Sequence, residues 1–597
     1  MADYNPPVFD IHFALTEIAG LGDVADYPDF DAFDLDMLEP VLEESGRLIA
    51  ETVAPLNRNS DLQGSVHNDD DSVTTPDGFR EAYAAWVASG WGSVPFDPAY
   101  GGGGFPWMIA TAMGEMLNSA SMSFALCPLL TQGGIDLLHH HGSEEQKEVW
   151  LTKLVEGTWT ATMNLTEPDA GSDVGALRTK AVKADDGTYR ISGQKIFITY
   201  GEHDMVDNIV HLVLARTPDA PPGTKGISTF IVPKFLLDDA GNPTIPNDLR
   251  CTSIEHKMGI HGSPTCVMQF GEEDGAIGYL IGDENRGMEY MFTMMNNARL
   301  AVGAQGLAIA ERAYQDAVEY SRERTQGRAV GAAPGTASPI VEHPDVRRNL
   351  LTMRAYIEAM RGLCYLDAAA VDQQGHHPTE DGRQAGAERA ALLTPIAKSW
   401  CTDLGCELTS IAVQIHGGMG FVEETGVAQH MRDARINPIY EGTNGIQALD
   451  LVARKLPMRG GEVIADLLDE MRATAAEAAG DDEALAAMGA ALAAATQSVE
   501  STTTKLIEQL GETPIDAFAG ATPYLRMLGQ VVGGWVLVRQ ALAARARLDA
   551  GESDERLEAK IVTASFYCEQ LLPLADAQAP AVLAGASTLM ALGAEQF

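Results

Sequence analysis

The sequence predicts a multidomain, mainly α-helical protein with one β-domain set into it, on three observations. The chain has 597 residues, 45% of them hydrophobic, which is more than one core usually organises. Its apolar periodicity is helical except between about residues 158 and 278, where short β-rich runs replace it. A further helical stretch, Ala-rich and then strongly apolar, follows Met458 and is long enough for a domain of its own.

Taken in order, residues 1–33 form an N-terminal extension whose acidic start lacks the basic and then apolar run of a signal. Residues 34–157 read as an N-terminal α-domain, with Leu42, Leu48, Ile49 and Val53 at helical spacing. Its last helix opens on Ser143 followed by Gln146, the spacing of a capping box. The glycine run 101–104 is a loop, and no Gly-Lys-Ser/Thr follows to make it a phosphate loop. Residues 158–280 form the central β-domain, with strands expected at 189–192, 195–199, 208–215, 226–232 and 265–270, and Pro/Gly turns between them. Helices return in 281–457. Met291, Met295, Ala298, Val302 and Ile309 mark one buried stripe, Gly303 and Gly306 admit a close helix neighbour, and 330–343 is a loop. Residues 458–597 form the additional helical domain.

The formal charge of −43, from 84 acidic against 41 basic side chains, repels phosphate backbones and anionic lipid and argues against nucleic-acid binding. The seven cysteines are scattered, with no CxxC or zinc-ligand spacing, and fit a reducing compartment. No uncharged apolar stretch reaches the ~20 residues of a membrane span, and 579–594 is the longest candidate. A cytoplasmic, soluble protein without stable membrane association is expected. His139, His140 and His141 are adjacent, so they cannot all face one metal, and no metal site is expected.

Four groups of residues carry chemistry. Residues 437–445, Asn-Pro-Ile-Tyr-Glu-Gly-Thr-Asn-Gly, set the lone carboxylate of Glu441 between an apolar-aromatic run and a glycine, just ahead of a helical pattern. That arrangement suits a base for a carbon acid, although a loop Glu beside a helix start reads the same way on this segment alone. Residues 163–175 and 193–199 supply the hydroxyls of Thr166, Ser172 and Thr199 and a permissive Gly171, able to hold a flat polar ring by its edge. Asn296 and Arg299 share one helix face, either as a ligand pair or as a solvated face. Arg322-Glu-Arg-Thr-Gln-Gly-Arg and Gln414-Ile-His-Gly-Gly-Met-Gly-Phe are individually an unremarkable charged helix end and a glycine turn.

In this order the segments resemble the acyl-CoA dehydrogenase family over roughly residues 34–455. The start, Tyr4-Asn-Pro-Pro-Val-Phe-Asp-Ile-His-Phe, and the region after Met458 look like its long branch, whose members share architecture but not substrates. The resemblance implies a four-helix bundle in 281–457 and FAD-dependent conversion of an acyl-CoA to the trans-2-enoyl-CoA, as in fatty-acid β-oxidation. Glu441 would take the α-proton while the β-hydride passes to flavin N5. It further implies that Met163, Leu165, Thr166, Phe197, Ile198 and Thr199 face the isoalloxazine, and that Ser172 reaches both cofactor and pantetheine. Arg324, Gln326, Gln414, Gly417 and Gly418 would hold the FAD diphosphate and adenosine, often across a subunit contact, with Thr443 and Gly445 completing the cofactor set. Asn296, Arg299, Tyr440 and Gly442 would contact substrate, and Leu129, Leu130 and Thr131 fall in the segment that lines the acyl pocket. The chain departs from the pattern at Asn296, where the family usually has an acid. It departs again in 322–328, one residue shorter and without a Phe before Gly327, and at His416, often an aromatic, where packing beside the cofactor is expected. Implied partners are electron-transfer flavoprotein and a second copy in a homodimer. An acyl-CoA oxidase and a DNA-protecting superfamily member are the rivals, the latter disfavoured by the lack of a basic C-terminal patch.

Overall fold

The computed structural model describes residues 3–597, so Met1 and Ala2 of the N-terminal extension lie outside the described residues. The chain divides into two compact units. One comprises Glu43–Phe105 and Met116–Ala301, and the other the N-terminal residues through Leu42, Pro106–Glu115 and Val302–Phe597.

The first unit holds an eight-stranded sheet. Its strands are β1 (Thr160–Asn164), β2 (Lys180–Lys183), β3 (Tyr189–Thr199), β4 (Ile209–Ala215), β5 (Ser228–Pro233), β6 (Leu249–Ile254), β7 (Thr265–Phe270) and β8 (Ala276–Leu280). They lie in the order β6-β7-β3-β8-β5-β4-β1, with β2 beside β3. Strands β1 and β4 pair in parallel. Every residue of β4 and β5 is buried, which is why neither alternates apolar with polar residues, and only His211, Ser228 and Thr229 interrupt their apolar content. Ile191, Ile198, Val213, Phe230, Met268 and Phe270 fill the core.

Strand β1 was not foreseen, because its inward residues are polar. Thr160 shares a hydrogen bond with His203 (3.0 Å) and Thr162 one with His211 (2.8 Å), while Asn164 donates to the Thr162 hydroxyl (2.8 Å). Burial, helped by the Lys234 charge, pulls both imidazoles down to about 3, so they pair as neutral rings. The helix Met122–His141, capped by Ser121, lies against β1 at Gly134, where a Cβ would come within 2.5 Å of the Ala161 Cβ. The Ser143–Gln146 capping box is present with both reciprocal bonds.

In the second unit, Pro344–His376 and Glu380–His416 form a helical hairpin whose return helix starts at the Thr379 cap. Gly306, on the helix Gly287–Glu323, and Gly405 set the main chains of that helix and Glu380–His416 together. A Cβ at Gly306 would lie 2.3 Å from the Cys401 carbonyl oxygen, and one at Gly405 2.9 Å from that of Gly306. The Ala-rich stretch is two helices, Glu462–Glu477 and Glu483–Glu512, and Asp482 caps the second by accepting from Ala484 N and Leu485 N. The helix Ala521–Asp549 has the length and mean hydropathy (1.2) of a membrane span, and 83% of its apolar window is buried. It is the core helix here, with Gly529 and Gly533 seated on the Trp400 ring.

The N-terminal extension and the additional helical region meet. Arg539 donates to Ile18 O (2.7 Å), Lys560 to Asp10 (2.6 Å), and Lys560 also pairs with Glu358 (3.3 Å). Burial alone would raise the Asp10 carboxyl, but the Lys560 charge holds it down to about 2. Deeper in the unit, Arg361 donates to Glu115 (2.6 Å) and Glu311 (3.0 Å), and Tyr365 donates to the second Glu115 oxygen (2.5 Å). All four side chains are buried.

Breaking such a cluster on one side leaves a charge stranded in the core, at a cost of about 3–5 kcal/mol. Arg361→Leu is therefore expected to lower the thermal midpoint sharply, and adding Glu115→Gln is expected to restore part of it. Differential scanning calorimetry of the two variants checks this, and equal midpoints for wild type and Arg361→Leu would refute it.

Candidate active site

In the β-containing unit, the segment 163–172 is shaped by one buried carboxylate. Glu167 accepts from Arg178 N (2.6 Å), Thr179 N (3.0 Å), the Thr179 hydroxyl (2.6 Å) and the Lys195 ammonium (2.8 Å). Glu167 and Ala170 close a tight turn by exchanging main-chain bonds, and Lys195 also reaches Leu165 O (3.1 Å). Burial pulls the Lys195 ammonium down to about 8 although Glu167 pulls it upward. The loop carrying Leu165, Thr166 and Ser172, which follows Met163 at the end of β1, is thereby clipped to β3. Its Thr166 O accepts from Ile196 N (3.0 Å).

Opposite Val267 the pairing of β3 with β7 shifts register, and Phe197 takes φ 59° there, followed by Tyr200 at φ 51°. A bulge of this kind re-aims a side chain. The Phe197 ring is accordingly 58% exposed, whereas Ile198 is 2% exposed. Ile198 points into the sheet core, so its side chain is not offered at the surface where Phe197 stands. Thr199 is half-buried, Ser172 exposed, and a Cβ at Gly171 would meet nothing within 4 Å.

On the part of the helix Gly287–Glu323 that belongs to the same unit, residues 287–301, Arg299 donates to Asn296 (3.4 Å) and lies over the Phe292 ring (6.0 Å). The two share one face, as the spacing predicts. Thr131 donates to Cys127 O (3.1 Å), accepts from Ala161 N (3.2 Å), and lines a cavity of about 200 Å³ with Tyr83, Trp86, Pro128 and Gln132. The three adjacent histidines turn to three partners, His139 to Asp97, His140 to Asp136 and His141 to Thr293.

In the helical unit, Glu441 stands at φ 55° and Gly442 at φ 82°, two left-handed residues in succession. For a non-glycine residue that conformation costs about 1–2 kcal/mol, and it persists where the surroundings over-determine it. Tyr440 donates to Gln305 and to Asn437 (3.3 Å), Asn444 N donates to Pro438 O (3.1 Å), and Thr443 caps the helix Asn444–Asp450 through Ile446 N (3.3 Å). Gln447 reaches Glu441 O (3.3 Å) and Gly442 O (3.4 Å). A Cβ at Gly442 would come 2.8 Å from that Gln447 amide. Burial first, and the Glu441 charge second, raise the Tyr440 phenol far above its ordinary range and keep it a neutral donor. The Glu441 side chain is half-buried and Gly445 exposed.

The remaining predicted residues also fall in this unit. Arg324 donates to Gln326 (3.4 Å), and both are exposed. Gln414, Gly417 and Gly418 are exposed at the end of Glu380–His416, and a Cβ on either glycine would meet nothing within 4 Å. His416 stacks on Tyr320 (ring centroids 4.3 Å apart) and bonds Ala412 O through Nδ1 (2.8 Å), which fixes it as a packing residue.

The chain matches four family descriptions in order. These are the acyl-CoA dehydrogenase N-terminal domain (44–158), middle domain (162–272) and C-terminal domain (285–456), and an acetyl-CoA dehydrogenase C-terminal-like domain (467–593). It is 47% identical to 3-methylmercaptopropionyl-CoA dehydrogenase of Ruegeria pomeroyi, over 95% of this chain and 96% of that one. The chain belongs to the acyl-CoA dehydrogenase family. It is also 35% identical to the broad-specificity linear acyl-CoA dehydrogenase of Mycobacterium tuberculosis over 96% of both chains. The structure of Caenorhabditis elegans ACDH-11 in complex with C11-CoA superposes with a TM-score of 0.76, at 20% identity, over 96% of this chain and 93% of that one, a likeness of fold.

As an acyl-CoA dehydrogenase the protein uses FAD, and the residues present fit it. An exposed aromatic ring on a strand with neighbouring hydroxyls suits a flavin, and open glycines following Gln414, with Arg324 and Gln326 exposed elsewhere on the unit, suit a dinucleotide. Sequence reasoning missed the residues that hold these segments in shape: Glu167, Lys195, Gln305, Lys398 and Gln447. The signal was a polar residue inside an apolar run, as Lys195 is in Lys-Ile-Phe-Ile and Lys398 in Ile-Ala-Lys-Ser-Trp.

Lys195→Met removes the counter-charge of Glu167 and the tie to Leu165 O. The variant is expected to bind FAD at least about tenfold more weakly, the equivalent of 1.4 kcal/mol. Titration of apoprotein by flavin fluorescence checks this, and an unchanged Kd would show that the clip does not shape the cofactor loop.

Proposed function

We propose that the protein oxidises an acyl-CoA thioester to the trans-2-enoyl-CoA with Glu441 as the base, and passes the electrons to an electron-transfer flavoprotein. The observation that carries this reading is the Tyr440-Glu441-Gly442-Thr443 turn, which spends backbone strain to project one carboxylate. FAD, when bound, supplies the two-electron acceptor for the β-hydride. Glu441 takes the α-proton, and its main-chain N–H is assigned to the thioester carbonyl, where charge develops as the proton leaves. Donors fixed before the reaction stabilise such charge by several kcal/mol. Arg299 is assigned to the CoA moiety, a local cation in a chain of net charge −43.

The relative at 47% identity makes 3-methylmercaptopropionyl-CoA the first substrate to test, beside a series of linear acyl-CoAs. A homodimer formed over the Gln414–Gly418 turn fits the exposed Met419, Phe421 and Val422 that follow it. A cytoplasmic location, with no nucleic-acid or stable membrane partner, fits the acidic charge and the seven free cysteines.

Glu441→Gln is expected to retain FAD and acyl-CoA binding and to lose flavin reduction by several orders of magnitude, because the amide is nearly isosteric but cannot accept the proton. Near wild-type reduction by stopped-flow would move the base elsewhere. With the wild type, turnover with electron-transfer flavoprotein is expected to exceed peroxide formation in air by at least about a hundredfold, roughly 2.7 kcal/mol of barrier. Stoichiometric peroxide at a comparable rate would make it an oxidase.

A further inference from the structure

We propose that Lys398 is a positioning residue for the base, acting through the carbonyl of Gly442; this rests on the reading of Glu441 as that base. Lys398 lies midway along Glu380–His416, between Ile396, Ala397, Trp400 and Cys401, and its side chain is fully buried. Its ammonium donates to the main-chain oxygen of Gly442 (2.8 Å) and to Asn444 Oδ1 (2.9 Å). The amide of Asn444 is oriented in turn from the same helix. Its Nδ2 donates to Asp403 (2.7 Å), the Thr402 hydroxyl (3.0 Å) and Ser399 O (3.1 Å).

A buried ammonium is costly unless acceptors are built around it, and the acceptors here include the turn that carries Glu441. The direction of the Gly442 carbonyl follows from the dihedral angles of the turn, and both Glu441 and Gly442 are left-handed. A charged donor fixed on a rigid helix therefore selects the one turn conformation that offers it that oxygen. Gln447 adds longer bonds to the same Gly442 carbonyl (3.4 Å) and to that of Glu441 (3.3 Å). The carboxylate of Glu441 is thus set by a group that contacts neither substrate nor flavin, and whose loss would misplace it by a change of backbone rather than of side chain. Small displacements of a reacting group carry large rate penalties.

The test uses FAD-loaded full-length enzyme and follows anaerobic flavin reduction across acyl-CoA concentrations, with flavin content and thermal midpoint measured alongside. Lys398→Met is expected to lower the limiting reduction rate at least about tenfold at unchanged flavin content, with the half-saturating acyl-CoA concentration within about threefold of wild type. Lys398→Arg, which keeps a cationic donor, is expected to recover part of the rate. Asn444→Ser, which keeps the ammonium and removes one of its acceptors, is expected to fall between, and decides the matter if Lys398→Met does not fold. A limiting rate unchanged in the folded variants would overturn the proposal, as would a loss that tracks missing flavin or resides in half-saturation alone. Glu441→Gln serves as the control. If it still reduces flavin, the base assignment fails and the Lys398 role with it; if it is inactive while Lys398→Met is unimpaired, the Lys398 role alone fails.

Discussion

The account depends on one backbone constraint, the left-handed pair Glu441–Gly442. A glutamate does not choose that conformation, so the helical unit has to impose it. Tyr440 is tied to Gln305 and Asn437, Asn444 to Pro438, and Gln447 and Lys398 to the carbonyls of the turn. Two of these anchors, Gln305 and Lys398, come from helices brought close by Gly306 and Gly405. Packing of small residues and strain at the carboxylate are therefore two ends of one device, in which close helix approach provides the rigidity that the strained turn requires.

The β-containing unit solves a parallel problem with buried charge. A loop rich in Gly, Asp and Ser has little apolar surface to order it, and Glu167 supplies order by gathering three neutral donors and the Lys195 ammonium into one point. The bulge in β3 then turns Phe197 outward and Ile198 inward. In both units an ionic group that touches no ligand shapes the segment expected to touch one. The extension and the additional helical region are likewise joined by a buried charge, with Lys560 pairing with both Asp10 and Glu358.

Much of this was legible in the residues. The helix–sheet–helix order, the Ser143–Gln146 capping box, the Met291–Ile309 stripe and the close approach at Gly306 followed from periodicity and residue size alone. The site segments were legible as well, though as a resemblance carried by their order, since a Thr-Glu-Pro turn or a glycine pair has no specific meaning by itself. Strand β1 was hidden because Thr160, Thr162 and Asn164 are buried through hydrogen bonds to His203 and His211, partners more than forty residues away. The split of the Ala-rich stretch at 478–482 was masked by the alanines on both sides of it, although Gly480 marks the stop and Asp482 the new start. The clamps were the least legible. Whether a lysine in an apolar run is stranded or holds a carbonyl depends on what the fold brings to its tip.

The most direct measurement is an anaerobic titration of the purified, FAD-containing protein with an acyl-CoA, reading the visible flavin absorbance together with the thioester product by mass spectrometry. The account predicts that the absorbance bleaches in proportion to substrate added and that one trans-2-enoyl-CoA, two hydrogens lighter, accumulates per flavin reduced. A flavin that stays oxidised across the acyl-CoA series, or that bleaches without an enoyl product, would contradict it.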